Sequence, residues 1–472
     1  MLTDLSFLEP GKPWPPPSEV ERLERYAYNR KLFANDCDEK YREQAKRIER
    51  VIGNYQDCVS YHLALNYPKR VSLKTADMLL GEPPKWDAGE KTKELDAIAS
   101  RSTIISTLRE LVLDISMCGE GLLYDRRTDK GGIIDIAAPE TWFPVVSPNN
   151  IKEVTHHVLA WMYSVGEGDQ KKEYLKQVIH ERGKYTERLN LLDGGRIGRA
   201  VEQERATQTG LDDFAVIHVP NTTTSRQLHG IDDYGDIDSV VSEIEVRLDQ
   251  IAKVLDKHTD PTMQGPACAL VDDGNGNKVF PAGNYVINQD EMDNTANVGY
   301  LTWDAQLAAN FTMIDCLIDQ LYTHSETGAA VFSDLAIKSG SIPSAKALRI
   351  AMTNFLSKVS RIRERLDPAL KRAFRQAAKL DGVAIDDISI TWQDGLPDDP
   401  LESAQIMQIR TGNKATLSQY SAIQQLDGRT DEDIDAELEL IRQDDEIASG
   451  GLGVALKTDL LEDEAEDTPE AE

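Results

Sequence analysis

The chain has 472 residues, with 81 acidic and 52 basic side chains and a formal net charge of −29. At about 150 residues per domain, that length predicts about three structural units. Hydrophobic residues make up 40% and aromatics 6%, enough for real cores but not for a compact aromatic-rich barrel. The apolar runs are a handful of residues long, far below the roughly 18 needed to span a bilayer, so no membrane partner is expected. No charged-then-apolar leader ending in small residues is visible, so no secretory signal is expected. The five cysteines, Cys37, Cys58, Cys118, Cys268 and Cys316, are odd in number and form no C-x-x-C. They argue against a disulfide framework and a Cys-based zinc site, and fit a reducing compartment. A chain this acidic repels phosphate, so any DNA contact must be local or slippery.

Taken in chain order, residues 1–17 hold Pro10, Pro13, Pro15, Pro16 and Pro17 and predict an extended arm. From Ser18 to about Ile52 the sequence predicts helix, with Ser18 as N-cap and Glu21 completing a capping box. Asn66–Pro84 predicts a helix opened by Pro68 and stopped by Gly81, Pro83 and Pro84. Residues 91–117 predict a further helical stretch. Gly119–Val146 has two apolar runs around Asp129, Gly131 and Gly132, the pattern of a β-hairpin. Strand-like pieces follow near Val154–Tyr163 and Tyr174–His180.

The character changes at Ile237–His258. Ile237, Val241, Ile244, Leu248, Ile251 and Leu255 are spaced 4-3-4-3-4, which places one apolar stripe on one helix face. A second such helix is predicted from Trp303 to His324, with Leu307, Phe311, Ile314, Leu317 and Leu321 on its stripe. Between them lies a Gly- and Asn-rich stretch of short strands and turns, a small β module carried by two helices. A third long helix starts near Ser344, with Leu348, Met352, Phe355, Val359, Ile362 and Leu366 on its stripe. Pro368 is expected to kink or break it. Lys346–Lys379 is the basic exception, with ten Lys and Arg against Glu364 and Asp367. After the strand-like Ile388–Trp392, residues 398–472 carry 21 acids and 5 bases. The last 24 residues predict disorder. No internal repeat is evident.

Catalytic patterns are missing from the sequence. It has no Walker-type phosphate loop, no H-E-x-x-H and no G-x-S-x-G. The glycine pairs Gly119/Gly121 and Gly166/Gly168 lack the third glycine of a dinucleotide site. His156 and His157 are adjacent, so on a strand they point to opposite faces and suit no single metal. Asp232/Asp233 and Asp444/Asp445 are more simply solvated acids than metal ligands. No catalytic residue, cofactor or metal is expected.

Four segments in this order resemble tailed-bacteriophage portal proteins of the long-tailed siphophage type. Asn66–Pro84, NYPKRVSLKTADMLLGEPP, resembles the family's early helix with its Gly-x-Pro-Pro-like stop. GEGLLYDRRTDKGG followed by APETWFPVV resembles its wing hairpin. His229–Leu255 is similar to the "G-x-S-D-I" lead-in to the first stem helix, with Gly235 and Asp236 at the matching place. Ser339–Met352, SGSIPSAKALRIAM, resembles the "S-G-x-A-L-K" start of the long wing helix. Three departures stand out: the family's serine is missing from the lead-in, three extra residues separate Ser339-Gly340 from Ser344-Ala345-Lys346, and the clip-like segment shows no clear helix in its sequence.

The resemblance covers about residues 18–448 and implies an α+β portal fold in a ring, typically of twelve subunits, at one capsid vertex. It implies a wing (18–236), a stem helix (237–258), a β-rich clip (259–302), a second stem helix (303–325) and a tunnel-loop region (326–345). The wing then resumes with the long kinked helix and a strand (346–397), followed by a helical crown (398–448) and an acidic tail (449–472). The implied function is a channel for double-stranded DNA in packaging and ejection, with no enzymatic activity. The implied partners are further copies of the chain, the large terminase, the head-completion (adaptor) protein, and the major capsid and scaffolding proteins. The implied location is the virion, after assembly in the host cytoplasm.

On this reading Val241, Ile244, Leu248, Ile251 and Leu255 face neighbouring subunits. Asp272, Asp273 and Lys278 are clip docking candidates, and Lys338, Lys346 and Arg349 line the DNA channel. The bland alternatives are packing within the subunit, turn solvation and surface ion pairing. Two other functions remain open at this point. One is a metal-dependent nucleic-acid-processing hydrolase, marked by metal-dependent turnover as a monomer. The other is a helical capsid or scaffold protein, marked by shells or rods.

Overall fold

The computed structural model describes residues 1–38, 40–44, 46, 63–166 and 171–259, then short stretches within 263–300. It continues with residues 307–328, 345–393, 400–412, 416–427 and 433–443. Two compact units emerge, Met1–Gly395 and Leu396–Glu472.

The first helix, α1 (Val20–Ala34), is preceded by a 3-10 turn, Pro17–Glu19. Ser18 is therefore not the N-cap that its spacing predicts; its hydroxyl bonds the Glu19 carboxylate at 3.4 Å. The helix ends at Asn35, whose φ of 59° is left-handed, so it does not run on unbroken. The rest of the predicted stretch, from residue 47, lies outside the described residues. In α2 (Tyr67–Leu80), Pro68 occupies the first turn and the Asn66 side chain accepts from the Lys69 amide. Strand β1 (Lys85–Asp87) follows. Residues 91–117 form two helices, α3 (Thr92–Arg101) and α4 (Ile104–Cys118), separated by Thr103 at φ 44°.

Strands β2 (Glu120–Thr128) and β3 (Gly131–Ala137) form the predicted hairpin. The chain continues through β4 (Trp142–Ser147), β5 (Asn150–Val165), β6 (Lys172–Glu181) and β7 (Lys184–Asp193). It then forms β8 (Arg196–Ala200), β9 (Arg205–Gln208) and β10 (Val216–Pro220). Strand β10 joins the hairpin to give a sheet in the order β10-β2-β3. A six-stranded antiparallel sheet runs β4-β5-β6-β7-β8, with β9 also on β7. Leu122 and Val216 of the first sheet pack with Trp142, Leu159 and Val178 of the second.

The N-terminal segment is not a free extended arm. It makes a short turn, Leu5–Leu8, capped by Asp4, and lies across the open face of the larger sheet. Phe7, Leu8 and Trp14 are buried there with Phe143, Val145, Val158, Leu175 and Ile197. Proline fixes backbone angles but does not keep apolar neighbours in water, and each buried large side chain contributes about 1.5–3 kcal/mol. Trp14→Ala is expected to destabilise this unit by about 3–5 kcal/mol in chemical denaturation; a change under about 1 kcal/mol would contradict the packing.

Helix α5 (Asp238–Thr259) leads to five short strands: β11 (Met263–Pro266), β12 (Val271–Asp272), β13 (Lys278–Val279), β14 (Tyr285–Gln289) and β15 (Gly299–Tyr300). Strand β11 pairs parallel with β14 and antiparallel with β15, while β12 and β13 form a separate ribbon. Helix α6 (Leu307–His324) returns and packs on α5. Then come α7 (Ala345–Ala351), α8 (Thr353–Leu380) and β16 (Ser389–Thr391), which pairs with β1.

The long helix breaks at Met352, not at Pro368, which lies inside α8. Proline costs about 3 kcal/mol or more in a helix interior. Here its ring is exposed, and Leu366, Ala369, Leu370, Ala373 and Phe374 around it are buried. Their combined burial exceeds that cost.

The second unit holds α9 (Pro400–Thr411), α10 (Gln419–Asp427) and further helical residues over 433–443. Ala422 and Ile434 are buried, but Ile406, Ile409 and Leu426 are exposed. Its own core is therefore smaller than the apolar spacing predicts.

Candidate functional site at the roots of the stem helices

The start of α5 is built into the first unit by its acids and by its stripe. The Tyr28 hydroxyl donates to Asp238 at 2.7 Å, and burial together with that carboxylate pushes the phenol well up. Arg25 grips Asp232 with two bonds, at 2.9 and 3.1 Å. Glu245 accepts from Gln44 and from the Leu65 amide and pairs with Lys40, while Asp249 accepts from the Leu63 amide. Ile237, Val241 and Ile244 are buried among Tyr26, Leu32, Val71, Met117, Tyr234 and Leu321 of the same chain. Val241 and Ile244 are therefore core residues of one copy and do not face a neighbour. Ile251 is also buried and Leu248 half-buried, whereas Leu255 is 48% exposed.

Lys358 of α8 joins the roots of both stem helices. Its ammonium, on a side chain 5% exposed, lies 2.9 Å from Asp233, just before α5. It also donates to the Ser325 carbonyl at 3.3 Å, just after α6. Asp233 accepts from Ser116 (2.7 Å) and Asn221 (3.1 Å), and Ser116 continues through Ser72 to the Tyr234 hydroxyl. Arg361, one turn on from Lys358, pairs with Glu326, which takes a left-handed φ of 58°. Thr327 is buried and bonds the Ser325 hydroxyl at 2.7 Å. A charge desolvated this far is tolerated because it is paired with a carboxylate and also hydrogen-bonded.

A second buried network surrounds Glu120 at the start of β2. The Tyr26 hydroxyl donates to it at 2.6 Å, and His218 and His229 lie at 2.9 and 3.0 Å. Arg22 is 3.6 Å away. Burial alone would push this carboxyl up; the charges and hydrogen bonds of His229 and His218 overcome it and hold the group far below the usual carboxylate range. Trp142 packs on His218 with ring centroids 4.3 Å apart. His229 reaches Glu120 because two backbones cross without side chains. A Cβ on Gly230 would lie 1.9 Å from the Gly119 carbonyl oxygen, and Gly119 itself has φ +79°.

His180, on the neighbouring β6, is buried beside Tyr124 and Tyr185 with neither ring nitrogen partnered. Burial lowers its pKa from 6.5 to about 4. Between those values the unfolded chain binds the proton and the folded one does not, so stability falls as pH drops from 6.5 to 4. The loss assigned to His180 is about 3 kcal/mol. His180→Phe is expected to remove that part of the acid sensitivity in denaturation at pH 7 and pH 4; an unchanged pH slope would contradict it.

The remaining predicted residues are spread out. Asp272 and Lys278 are backbone register partners in the β12–β13 ribbon, and Asp272 accepts from the Gly274 amide. Asp273 and Lys338 lie outside the described residues. Lys346 and Arg349 are both on α7, and Arg349 is exposed. His156 and His157 do point to opposite faces: His157 is buried and bonded to the Trp142 indole, His156 is half-buried. Among the described residues no group of His, Cys, Asp and Glu is placed to hold a metal ion. Glu120, His218, His229 and Lys358 carry no local sequence signal; an acid between two glycines and a lysine in a basic helix look like surface.

The sequence profile described as "Phage portal protein, SPP1 Gp6-like" matches residues 18–450. The chain belongs to that family. Portal proteins are structural components of phage particles, and the mixed helices and sheets described above are of that fold class. The solved structures that resemble the chain include the neck of a native GTA particle computed with C12 symmetry, at 10% identity and a TM-score of 0.43. They also include the neck of an empty GTA particle computed with C6 symmetry, at 12% identity and a TM-score of 0.46. Each alignment covers 76% of this chain and 88% of the other. No curated protein sequence is similar enough to count as a relative. No helix among the described residues is long and apolar enough to cross a membrane.

Proposed function

We propose that the chain assembles into a closed ring at one capsid vertex and that double-stranded DNA passes through its centre in packaging and ejection. The observation that carries this reading is the portal-family match over residues 18–450. A second feature supports it: a β module with exposed Val271, Val286 and Ile287 sits at the ends of two helices. Among the described residues of one copy these side chains stay exposed; side by side, twelve copies bury them. Leu255, Phe311 and Met313, exposed on the stem helices, extend the same contact.

The charge supports a sliding substrate. Each cationic phosphate contact adds affinity that translocation must break, and a chain at −29 keeps such contacts few. Lys338, Lys346 and Arg349 form the cationic collar of the tunnel, and the acidic crown keeps the inner mouth clear by repulsion. The clip, with Asp272, Asp273 and Lys278, docks the large terminase and later the head-completion protein. The ring also nucleates procapsid assembly with capsid and scaffolding proteins.

Lys338→Ala and Lys338→Glu are the test, in rings that still assemble. Packaged genome length or genome retention is expected to fall, with the glutamate variant the more affected. Packaging and retention unchanged with both substitutions would contradict the collar.

A further inference from the structure

The N-terminal segment closes both sides of the six-stranded sheet. On the β4 side, the Val146 amide donates to the Leu2 carbonyl at 2.9 Å. On the β8 side, Gly11 and Trp14 donate to the carbonyls of Ile197 and Gly195, and Ile197 donates back to Lys12. Among the described residues one stretch has no strand on its outer side. Pairing of β4 with β5 stops at Leu159, yet β5 runs on to Val165, paired with β6 on its inner side alone among the described residues.

The open edge of residues 160–165 is unusually apolar. Trp161, Met162 and Val165 are 41, 57 and 55% exposed. Trp161, Tyr163 and Val165 share one face by the two-residue period of a strand. There Tyr163 stacks on Tyr174 of β6 at 5.5 Å. Natural edge strands are blunted by lysine, proline, a bulge or a cover, because an open apolar edge recruits another strand. Trp161–Val165 contains no charge and no proline.

A second open edge lies on the far side of the same sheet. Strand β9 pairs with β7 and, among the described residues, with no other strand. A closed ring needs two different, complementary surfaces on opposite sides of each copy. Strand order and direction supply them: β9 runs opposite to β5, so a neighbour added without reversing the sheet brings its β9 antiparallel to β5.

Charge favours another copy as the occupant. Copies at −29 repel across most of their surface. These two edges are not part of that repulsion: β5 offers an uncharged stretch, and Arg196–Gln208 carries three arginines against Glu202 and Glu204. Resting on the ring reading above, we propose that residues 160–165 of one copy pair with β9 of the next, joining the sheets into a continuous β belt around the wing.

Hydrogen exchange of the full chain, as assembled rings and as dissociated subunits, tests this. Amides in 160–165 and 205–208 are expected to slow by about tenfold or more in the rings. Native mass on the same samples reports ring formation separately. Rings whose two edges exchange as fast as in subunits would overturn the pairing and leave the ring reading standing. Absence of rings would overturn both. Protection of 160–165 only when capsid or scaffolding protein is added would overturn the pairing in favour of that protein. The double variant Trp161→Lys with Tyr163→Lys changes exposed side chains only. It is expected to fold as wild type by circular dichroism and to shift assembly about tenfold or more toward subunits; undiminished assembly would count against the proposal.

Discussion

Glu120→Ala is expected to destabilise the unit Met1–Gly395 by about 3–5 kcal/mol, the cost of removing one partner from a buried charge cluster. Glu120 is fully buried and receives Tyr26, His218 and His229 within about 3 Å. Without it, the Tyr26 hydroxyl loses its acceptor, the two imidazoles lose their hydrogen-bond partner, and the Arg22 guanidinium loses a nearby counter-charge. Glu120→Gln is expected to cost less, because it keeps oxygen acceptance and volume while losing the charge. Urea denaturation at pH 7 measures both. A loss below about 1 kcal/mol for the alanine variant would mean the cluster contributes no more than an exposed ion pair. The wild type is also expected to lose this contribution at low pH. The folded pKa of Glu120 is depressed, so its stabilisation is present above the unfolded value of 4.5 and disappears as pH falls below it.

Lys358→Met is expected to cost a similar amount, about 3–5 kcal/mol, because it leaves Asp233 largely buried without its cation. It carries a second, local signature. The lysine also holds the Ser325 carbonyl, so amides at 325–328 are expected to exchange about tenfold or more faster, beyond any global effect. Exchange there that simply follows global stability would show that Lys358 serves the wing alone. Met keeps the length and apolar stem of the side chain, so lost packing contributes little to the difference.

Several individual helices and the hairpin are legible in the sequence because they rest on local chemistry. The Pro68 start and Gly81 stop of α2, the Gly131 turn of the hairpin and the stem stripe are all set within a few residues. What covers an apolar face is not local. The 4-3-4-3-4 stripe of α5 marks one face, yet Val241 and Ile244 meet Tyr26 and Leu321 of the same chain, while Leu255 is exposed. The prolines of the N-terminal segment correctly deny it a long helix, but only the sheet explains why Phe7 and Trp14 leave water. Pro368 reads as a break because proline's cost is local; the packing of Leu366, Leu370 and Phe374 that outweighs it is tertiary. Glu120 and His218 stand 98 positions apart, and no spacing rule joins them.

Native mass measurement of the purified full chain, with electron microscopy of the same sample, tests the channel most directly. The account predicts closed rings of uniform subunit number with a central opening wide enough for a DNA duplex. A chain that stays monomeric at high micromolar concentration, or that forms only open rods or shells, would contradict it.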